Sequence, residues 1–548
     1  MLKKFAFGAA VLFVLLGAGF LVLRQVAGPS DGATLLPPET ILYVSLTDLP
    51  RSVLRWQGTS MAEISREPEV KAFLEKPIGR IQADPGSGEA GGILGGLKPT
   101  RLFLGVTSIS ADRAQAIVGF QFWGSRKEFD QAMSRLRREL PPSEESRESR
   151  GGVEVVSTQH GKFAVHTASK GRWGFLSTSP ELLDFVLQRL KGGDPAASLA
   201  GAEDFRASMA PMLPAPDFVL FLRPEKPIDA LLEAGRSIGA SAIPAQVEEI
   251  RRTSALAATW KMDGRLQRDA AFLLQPGGSA SGALGHSAAR FTQANTVLYI
   301  DFLARLAGLE DLLSGALPER QDAARELAGL AANAFGPEGG FLLNWIPGQM
   351  TPSPLLALQI RDPGQAADAL RKLISFFPEA TITDHDGLKL YNIPSVSNPL
   401  AAPTLALTDD FLLVGLEAGA ITSAAAPAEA PLPSLPAFAP ALPAYRSANE
   451  VFAFLDTRAV FERAYSAFRP VILFGAQVVP GMSEVIDTTK LPQTETIARH
   501  LPPVILSQKR IRGGVLIESS GPVTVSQLAI GLAAGAAWSG AKNSGPTN

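Results

Sequence analysis

A five-residue phrase recurs in this chain at a distance that sets its architecture. Thr40-Ile41-Leu42-Tyr43-Val44 returns as Thr296-Val297-Leu298-Tyr299-Ile300, 256 positions later. Phe218-Val219-Leu220-Phe221-Leu222 returns as Val451-Phe452-Ala453-Phe454-Leu455, 233 positions later. Similar elements in the same order in two halves read as an internal duplication, in which one packing problem is solved twice. The pattern predicts two copies, at 35–277 and 288–538, joined by a linker at 278–287 and followed by a flexible tail at 539–548.

The first copy opens with a strand over 41–46, then a helix near 49–56. A second helix starts at Pro68, carries Val70, Phe73 and Leu74 on one face, and is expected to stop at Pro77. Strands follow at 101–107 and 116–122, where alternation suggests one buried face. Ser125 and Glu128 form a capping box for a helix with Phe129, Met133, Leu136 and Leu140 in one stripe. Short strands are read at 153–157, 163–167 and 173–177, then a helix opened by Ser179-Pro180. A hairpin over 255–261 and 268–274 closes the copy.

In the second copy, 297–302 matches the opening strand and 355–360 matches 116–122. Asp362-Pro363 caps the equivalent helix. Strands at 388–393 and 411–416 match 153–157 and 173–177. The closing hairpin is read as 513–518 and 525–532. Offsets drift between matched elements, so insertions fall in loops. Residues 424–444 contain six prolines and read as a semi-rigid linker or a surface loop. Hairpins with interspersed helices predict an α+β fold. It consists of two tandem, similar units of mostly antiparallel sheet with packed helices, after an N-terminal transmembrane helix.

Residues 1–34 read as a signal anchor. Lys3 and Lys4 precede an apolar run over 5–23, closed by Arg24. Nineteen residues at about 1.5 Å each span roughly 28 Å, close to the hydrocarbon thickness of a bilayer. The lysines favour a cytoplasmic N-terminus. Cleavage is the competing reading, with Gly17-Ala18-Gly19 or Gln25-Val26-Ala27 as the site; the length and flanks of the run favour retention. The chain has no cysteine, which excludes a lipoprotein anchor, disulfides, thiolate metal sites and cysteine nucleophiles. Its net charge of −2 and lack of a basic stripe argue against nucleic acid as a partner. The run 135–150 alternates in charge sign and reads as a helix end followed by a solvated loop.

Catalytic patterns are sparse. Gly285-His286-Ser287-Ala288-Ala289 approaches a hydrolase elbow, yet it follows a linker and lacks the final glycine; a helix start is the simpler reading. Asp384-His385-Asp386-Gly387 offers three metal-ligand types, but Asp-Gly between two strand-like runs marks a hairpin turn. Adjacent strand residues also point to opposite faces. The glycine-rich segment 84–96 lacks the Gly-Lys-Ser/Thr of a phosphate cradle. His160 and His166 flank one turn, His166 reading as a half-exposed sheet residue. The pairs Glu248-Glu249 and Asp409-Asp410 are sequence neighbours, a poor geometry for flanking a substrate. His500, before Leu501-Pro502-Pro503, reads as a helix-end residue whose charged form suits the C-terminal dipole. No catalytic, cofactor-binding or metal-binding residue is assigned, and no cofactor is expected.

The segment Leu36-Pro37-Pro38-Glu39-Thr40-Ile41-Leu42-Tyr43-Val44, with Leu49-Pro50 and Trp56, carries a resemblance, as does the closing part of the chain. There Leu491-Pro492, Ile497-Ala498-Arg499-His500-Leu501-Pro502-Pro503, Gly514-Val515-Leu516 and Glu518-Ser519-Ser520-Gly521-Pro522 follow one another. Both resemble segments of large, exported, membrane-anchored bacterial proteins that carry domains of unknown function. The resemblance implies location and architecture and brings no activity.

These readings describe a single-pass protein of the inner membrane, held through residues 5–23, with its bulk in the periplasm or outside the cell. The expected role is a non-catalytic binding or scaffold protein of the cell envelope, with an envelope protein or a hydrophobic ligand as partner. Two alternatives stand beside it. One is a carrier of a lipid or other hydrophobic molecule, motivated by the apolar runs 471–479 and 528–538. The other is a hydrolase whose site is dispersed in sequence.

Overall fold

The computed structural model describes residues 32–83, 97–109, 114–139, 144–160, 163–192, 194–229, 252–278, 282–304, 309–310, 314, 321–393, 403–426, 430–478 and 487–528. The apolar run 5–23 of the expected signal anchor, the glycine-rich segment 84–96, Glu248-Glu249 and the tail expected at 539–548 lie outside them, whereas residues 32–34, read as the end of the anchor segment, form the 3₁₀ turn Gly32–Thr34 with Ala33 in the first unit's core. The fold is α+β, with antiparallel sheet and packed helices. Among the described residues, no helix is long and apolar enough to cross a membrane. The chain divides into two compact units. The first takes in Met1–Ser279, Glu484–Asp487 and Ile511–Glu518, and the second takes in Ala280–Ser483, Thr488–Arg510 and Ser519–Asn548.

The first unit contains β1 (Leu42–Leu46), β2 (Pro99–Ile109), β3 (Ala114–Phe122), β4 (Glu144–Arg150) and β5 (Val153–His160). It continues with β6 (Phe163–Lys170), β7 (Trp173–Ser177), β8 (Phe218–Leu222), β9 (Ala255–Asp263) and β10 (Leu266–Leu274). Antiparallel pairing gives the order β4-β5-β6-β7-β3-β2-β1-β8-β9-β10. Because side chains alternate along a strand, one face of this sheet carries Tyr43, Phe103, Phe175 and Phe221. They pack with Leu183 and Val186 of the helix Pro180–Arg189 and with Phe205. The opposite face carries Phe120 and Phe122, covered by Phe129 and Met133 of the helix Arg126–Glu139. That helix begins with the expected capping box: Glu128 accepts from Ser125 N–H, and Ser125 Oγ accepts from Glu128 N–H. The centre of β3 is thus buried on both faces, where one was expected, because helices cover the sheet on each side.

The second unit contains β11 (Thr296–Leu303), β12 (Phe335–Asn344), β13 (Ser353–Ile360), β14 (Thr381–His385) and β15 (Leu388–Asn392). Then come β16 (Thr404–Leu407), β17 (Phe411–Gly415), β18 (Val451–Leu455) and β19 (Val504–Ile511). Their order is β14-β15-β16-β17-β13-β12-β11-β18-β19, again antiparallel throughout. Tyr299, Leu355, Leu413, Phe452 and Phe454 share one face with Phe291 and Phe438. Phe335, Leu405 and Leu412 share another cluster with the helices Gln321–Ala334 and Pro363–Ile374.

Several expected elements are corrected. The helix that starts at Pro68 runs on through Pro77 to Ala83; a proline removes one helical hydrogen bond and does not always end a helix. The charged run near 144–150 is a strand, β4, fully paired with β5. Its charges are met by neighbours, as in Arg147–Glu145 and Arg150–Asp184, each at 2.9 Å. Such a charged edge discourages further strand addition. The proline-rich stretch is no linker. It folds into the 3₁₀ turns Leu432–Ser434 and Pro436–Ala441 and the helix Leu442–Ser447, burying Leu432 and Phe438. The expected linker at 278–287 already contributes Leu284 to the second unit's core. The closing hairpin was read one strand too late. The strand after β19 is β20 (Gly514–Gly521), and residues 525–528 are helical. Thr524 caps that helix: its Oγ1 accepts from Gln527 N–H at 3.4 Å, and its N–H donates to Gln527 Oε1 at 3.0 Å.

Candidate functional site

The densest cluster of chemically capable side chains among those described is in the second unit, around His286. The short 3₁₀ helix Ser287–Phe291 lies against β12. It can do so because Gly340 has no side chain, and a Cβ there would collide with Ala288. His286 precedes the turn with φ 56°, a left-handed conformation that costs a non-glycine residue about 1 kcal/mol or more. That backbone directs its ring inward. Nδ1 meets Asp301 Oδ2 at 2.7 Å, and Nε2 meets the Tyr445 carbonyl at 2.7 Å. The ring stacks on Tyr445 with centroids 3.7 Å apart.

Asp301 is in β11, inward-facing two residues after Tyr299 and fully buried. Its Oδ2 also accepts from Tyr299 Oη at 2.9 Å, while Oδ1 is buried without a partner. Burial, then the charge of Asp301, pushes the Tyr445 hydroxyl up to about 12 and Tyr299 further in the same direction. Both phenols therefore stay neutral, and Tyr299 donates to Asp301. Glu338 in β12 is the second carboxylate. It accepts from Ser287 Oγ at 2.7 Å, from Ser287 N–H at 3.3 Å, and from Gly285 N–H. Those amide donors precede or open the 3₁₀ turn, where backbone N–H groups have no internal acceptor.

The arrangement decides what the cluster can do. Each ring nitrogen of His286 already lies within hydrogen-bond distance of a partner, the Asp301 carboxylate on one side and the Tyr445 carbonyl on the other. Neither nitrogen is directed at a serine hydroxyl. Ser287, the candidate nucleophile, is hydrogen-bonded to Glu338 and not to His286. A Ser-His-Asp relay requires the serine on the free ring nitrogen. Here that nitrogen holds a backbone carbonyl, and the cluster ties the turn, β11, β12 and the helix Leu442–Ser447 to one another.

The other candidates are scattered. Asp386 and Gly387 form the β14–β15 turn, with φ 51° and 86°, as the hairpin reading requires. His385 is exposed, with Nε2 3.9 Å from Asp386. No group of three or more potential metal ligands occurs among the described residues. Asp410 pairs at the surface with Arg290, at 2.9 Å. His160 ends β5. His166 in β6 is buried, where a half-exposed residue was expected, and its Nδ1 is 2.8 Å from Ser157 Oγ. His500 lies just past the helix Thr494–Ala498, its N–H donating to the Ile497 carbonyl at 3.0 Å. Sequence reasoning singled out His286 and Ser287 but missed Asp301, Glu338 and Tyr445. One signal was available for Asp301: an acid at an inward position of the apolar strand Thr296–Leu303 needs a partner when buried.

No family model matches the chain, and no curated protein matches it. Among solved structures, crystal form III of TP0453 is similar at 10% identity with a TM-score of 0.25, over 46% of this chain and 82% of that chain. Crystal form I of TP0453 is similar at 9% identity with a TM-score of 0.24, over 46% and 81%. At these scores the likeness establishes neither a shared fold nor a shared activity.

Proposed function

We infer that the chain is a membrane-anchored envelope protein whose two tandem, duplicated α+β units form a non-catalytic binding or scaffold body. The observation that carries the non-catalytic part is that Ser287 is bonded to Glu338 and not to His286. The ring nitrogens of His286 are engaged by Asp301 and the Tyr445 carbonyl.

The duplication is supported by strand order. The sequence β14-β15-β16-β17-β13-β12-β11-β18-β19 is that of β4 through β9 with ten added to each label. The offset of 256 extends from the repeated strand back to the preceding turn, pairing Gly32 with Ala288 and Tyr43 with Tyr299. Packing is complementary at that turn. In the first unit a Cβ on Gly32 would lie 2.8 Å from Phe103, and in the second Ala288 meets Gly340. The turn position is glycine against Phe103 in the first unit and alanine against Gly340 in the second. The pairs Phe205–Phe221 and Phe438–Phe454 have ring centroids 5.0 and 4.9 Å apart. Each unit also buries an acid just before the strand that neighbours β1 or β11. Asp217 meets Arg55 at 3.0 Å, and Glu450 meets Arg510 at 2.7 Å.

The anchor rests on sequence, through Lys3, Lys4 and the run 5–23. The carrier reading loses part of its motive, because Val471, Leu473 and Phe474 face outward and line no interior. The test is to purify the full chain from membranes, identify what stays bound, and assay ester and peptide hydrolysis. A protein or ligand retained in fixed ratio, with no turnover, is the expected result. Turnover abolished by Ser287→Ala would overturn the reading in favour of a hydrolase.

A further inference from the structure

The helix Thr457–Val478 begins docked and turns bare at Phe468. In its first half Tyr465 Oη donates to the Pro492 carbonyl at 2.7 Å, Arg463 Nη1 donates to the Asn295 carbonyl at 3.2 Å, and Arg458 meets Glu462 at 2.8 Å. From Phe468 the pattern changes. Phe468, Val471, Leu473 and Phe474 are 49%, 56%, 39% and 68% exposed. At about 100° per residue, no gap wider than about 140° around the axis separates these four side chains.

That geometry constrains the occupant. A second helix or a flat protein face covers one stripe of a helix, whereas this end is apolar on nearly every side. Helices that are apolar all round are stable where apolar material surrounds them. Charge narrows the choice further. The helix carries Arg458, Arg463 and Arg469 against Glu462 alone. Arg469 stands within the apolar stretch, and its Nε is buried without a hydrogen-bond partner. The helix does not qualify as a membrane span.

We propose that residues 468–474 insert into the outer layer of an anionic bilayer, with Arg469 meeting lipid phosphates. This contact is separate from the N-terminal anchor and stands without it. The stretch overlaps the apolar run 471–479 that motivated the carrier alternative, and here it is an interaction surface.

The chain has no cysteine, so Phe474→Cys gives a single site for an environment-sensitive fluorophore. Ile382→Cys, at an exposed apolar position of β14, is the control. The labelled full chain is mixed with vesicles of phosphatidylcholine alone, or with phosphatidylglycerol added, each made with brominated acyl chains. The label at 474 is expected to shift to the blue and to be quenched about two-fold or more on anionic vesicles, less on neutral ones, while the label at 382 does neither. Arg469→Glu should reduce the quenching on anionic vesicles.

A vesicle-bound chain whose label at 474 neither shifts nor is quenched overturns the proposal. So does a chain that binds no vesicles. A shift that needs no lipid and grows with protein concentration would assign the surface to a second copy instead. The combined variant Phe468→Ser, Val471→Ser, Phe474→Ser separates the anchor from the tip. An anchored chain keeps its vesicle binding when the tip is lost, and an unanchored one loses it.

Discussion

Asp301 is a carboxylate with no exposed surface, held by one imidazole and one phenol. Removing a partner from such a buried pair costs more than the pair contributes, because the remaining charge cannot reach water. His286→Ala should therefore destabilise the second unit by about 3–5 kcal/mol, read as a loss of urea midpoint followed by circular dichroism. A change below about 1 kcal/mol would mean that Asp301 is protonated or reached by water. His166 makes a different prediction. Burial, then the charge of Arg150, holds its pKa below the ordinary 6.5. The folded chain thus binds fewer protons than the unfolded one below that value. Stability is complete above about pH 6.5 and declines as pH falls from there toward the folded-state pKa. His166→Asn should flatten this decline, measured as the difference in urea midpoint between wild type and variant at about pH 5 and pH 7.5. Equal slopes in the two proteins would rule out His166 as their source.

At the scale of elements, close approach explains which glycines matter. Gly340 admits the 3₁₀ turn that carries His286 and Ser287. Gly340→Ala should push that turn off β12 and strip Glu338 of its donors, costing about 1–3 kcal/mol as overpacking does. Faster hydrogen exchange at the amides of Gly285 and Ser287 would report the displacement, and unchanged exchange would contradict it. Elements with a clear period were legible in the sequence: β1, β3, β13, the capped helices and the β14–β15 turn. Three were not. β4 has no apolar alternation because every residue but its last is exposed. The stretch 432–447 buries Phe438 through short proline-containing turns, which have neither a helical nor a strand period. Residues 525–528 are apolar enough to suggest a strand, and the Thr524–Gln527 capping box was the signal that decided otherwise. The His286 cluster was half legible for the same kind of reason. His286 and Ser287 are adjacent, whereas Asp301, Glu338 and Tyr445 reach them only through strand register and a distant helix.

At the scale of the whole molecule, the proposed anchor and the proposed duplication make separate predictions. The anchor predicts that a periplasm-only reporter fused after Asn548 is active and that carbonate extraction leaves the chain in the membrane. A soluble chain with a new N-terminus after Gly19 or Ala27 would replace the anchor with a cleaved signal. The proposed duplication accounts for the strand order shared by the two units and for the 256-residue offset. An experimental structure tests it most directly, by superposing residues 32–277 on 288–521. The prediction is that β1 falls on β11 with Tyr43 over Tyr299, that Gly32 falls on Ala288, and that β2 through β9 fall in order on β12 through β19. Strands β1 and β11 in unrelated positions of their sheets would contradict the duplication.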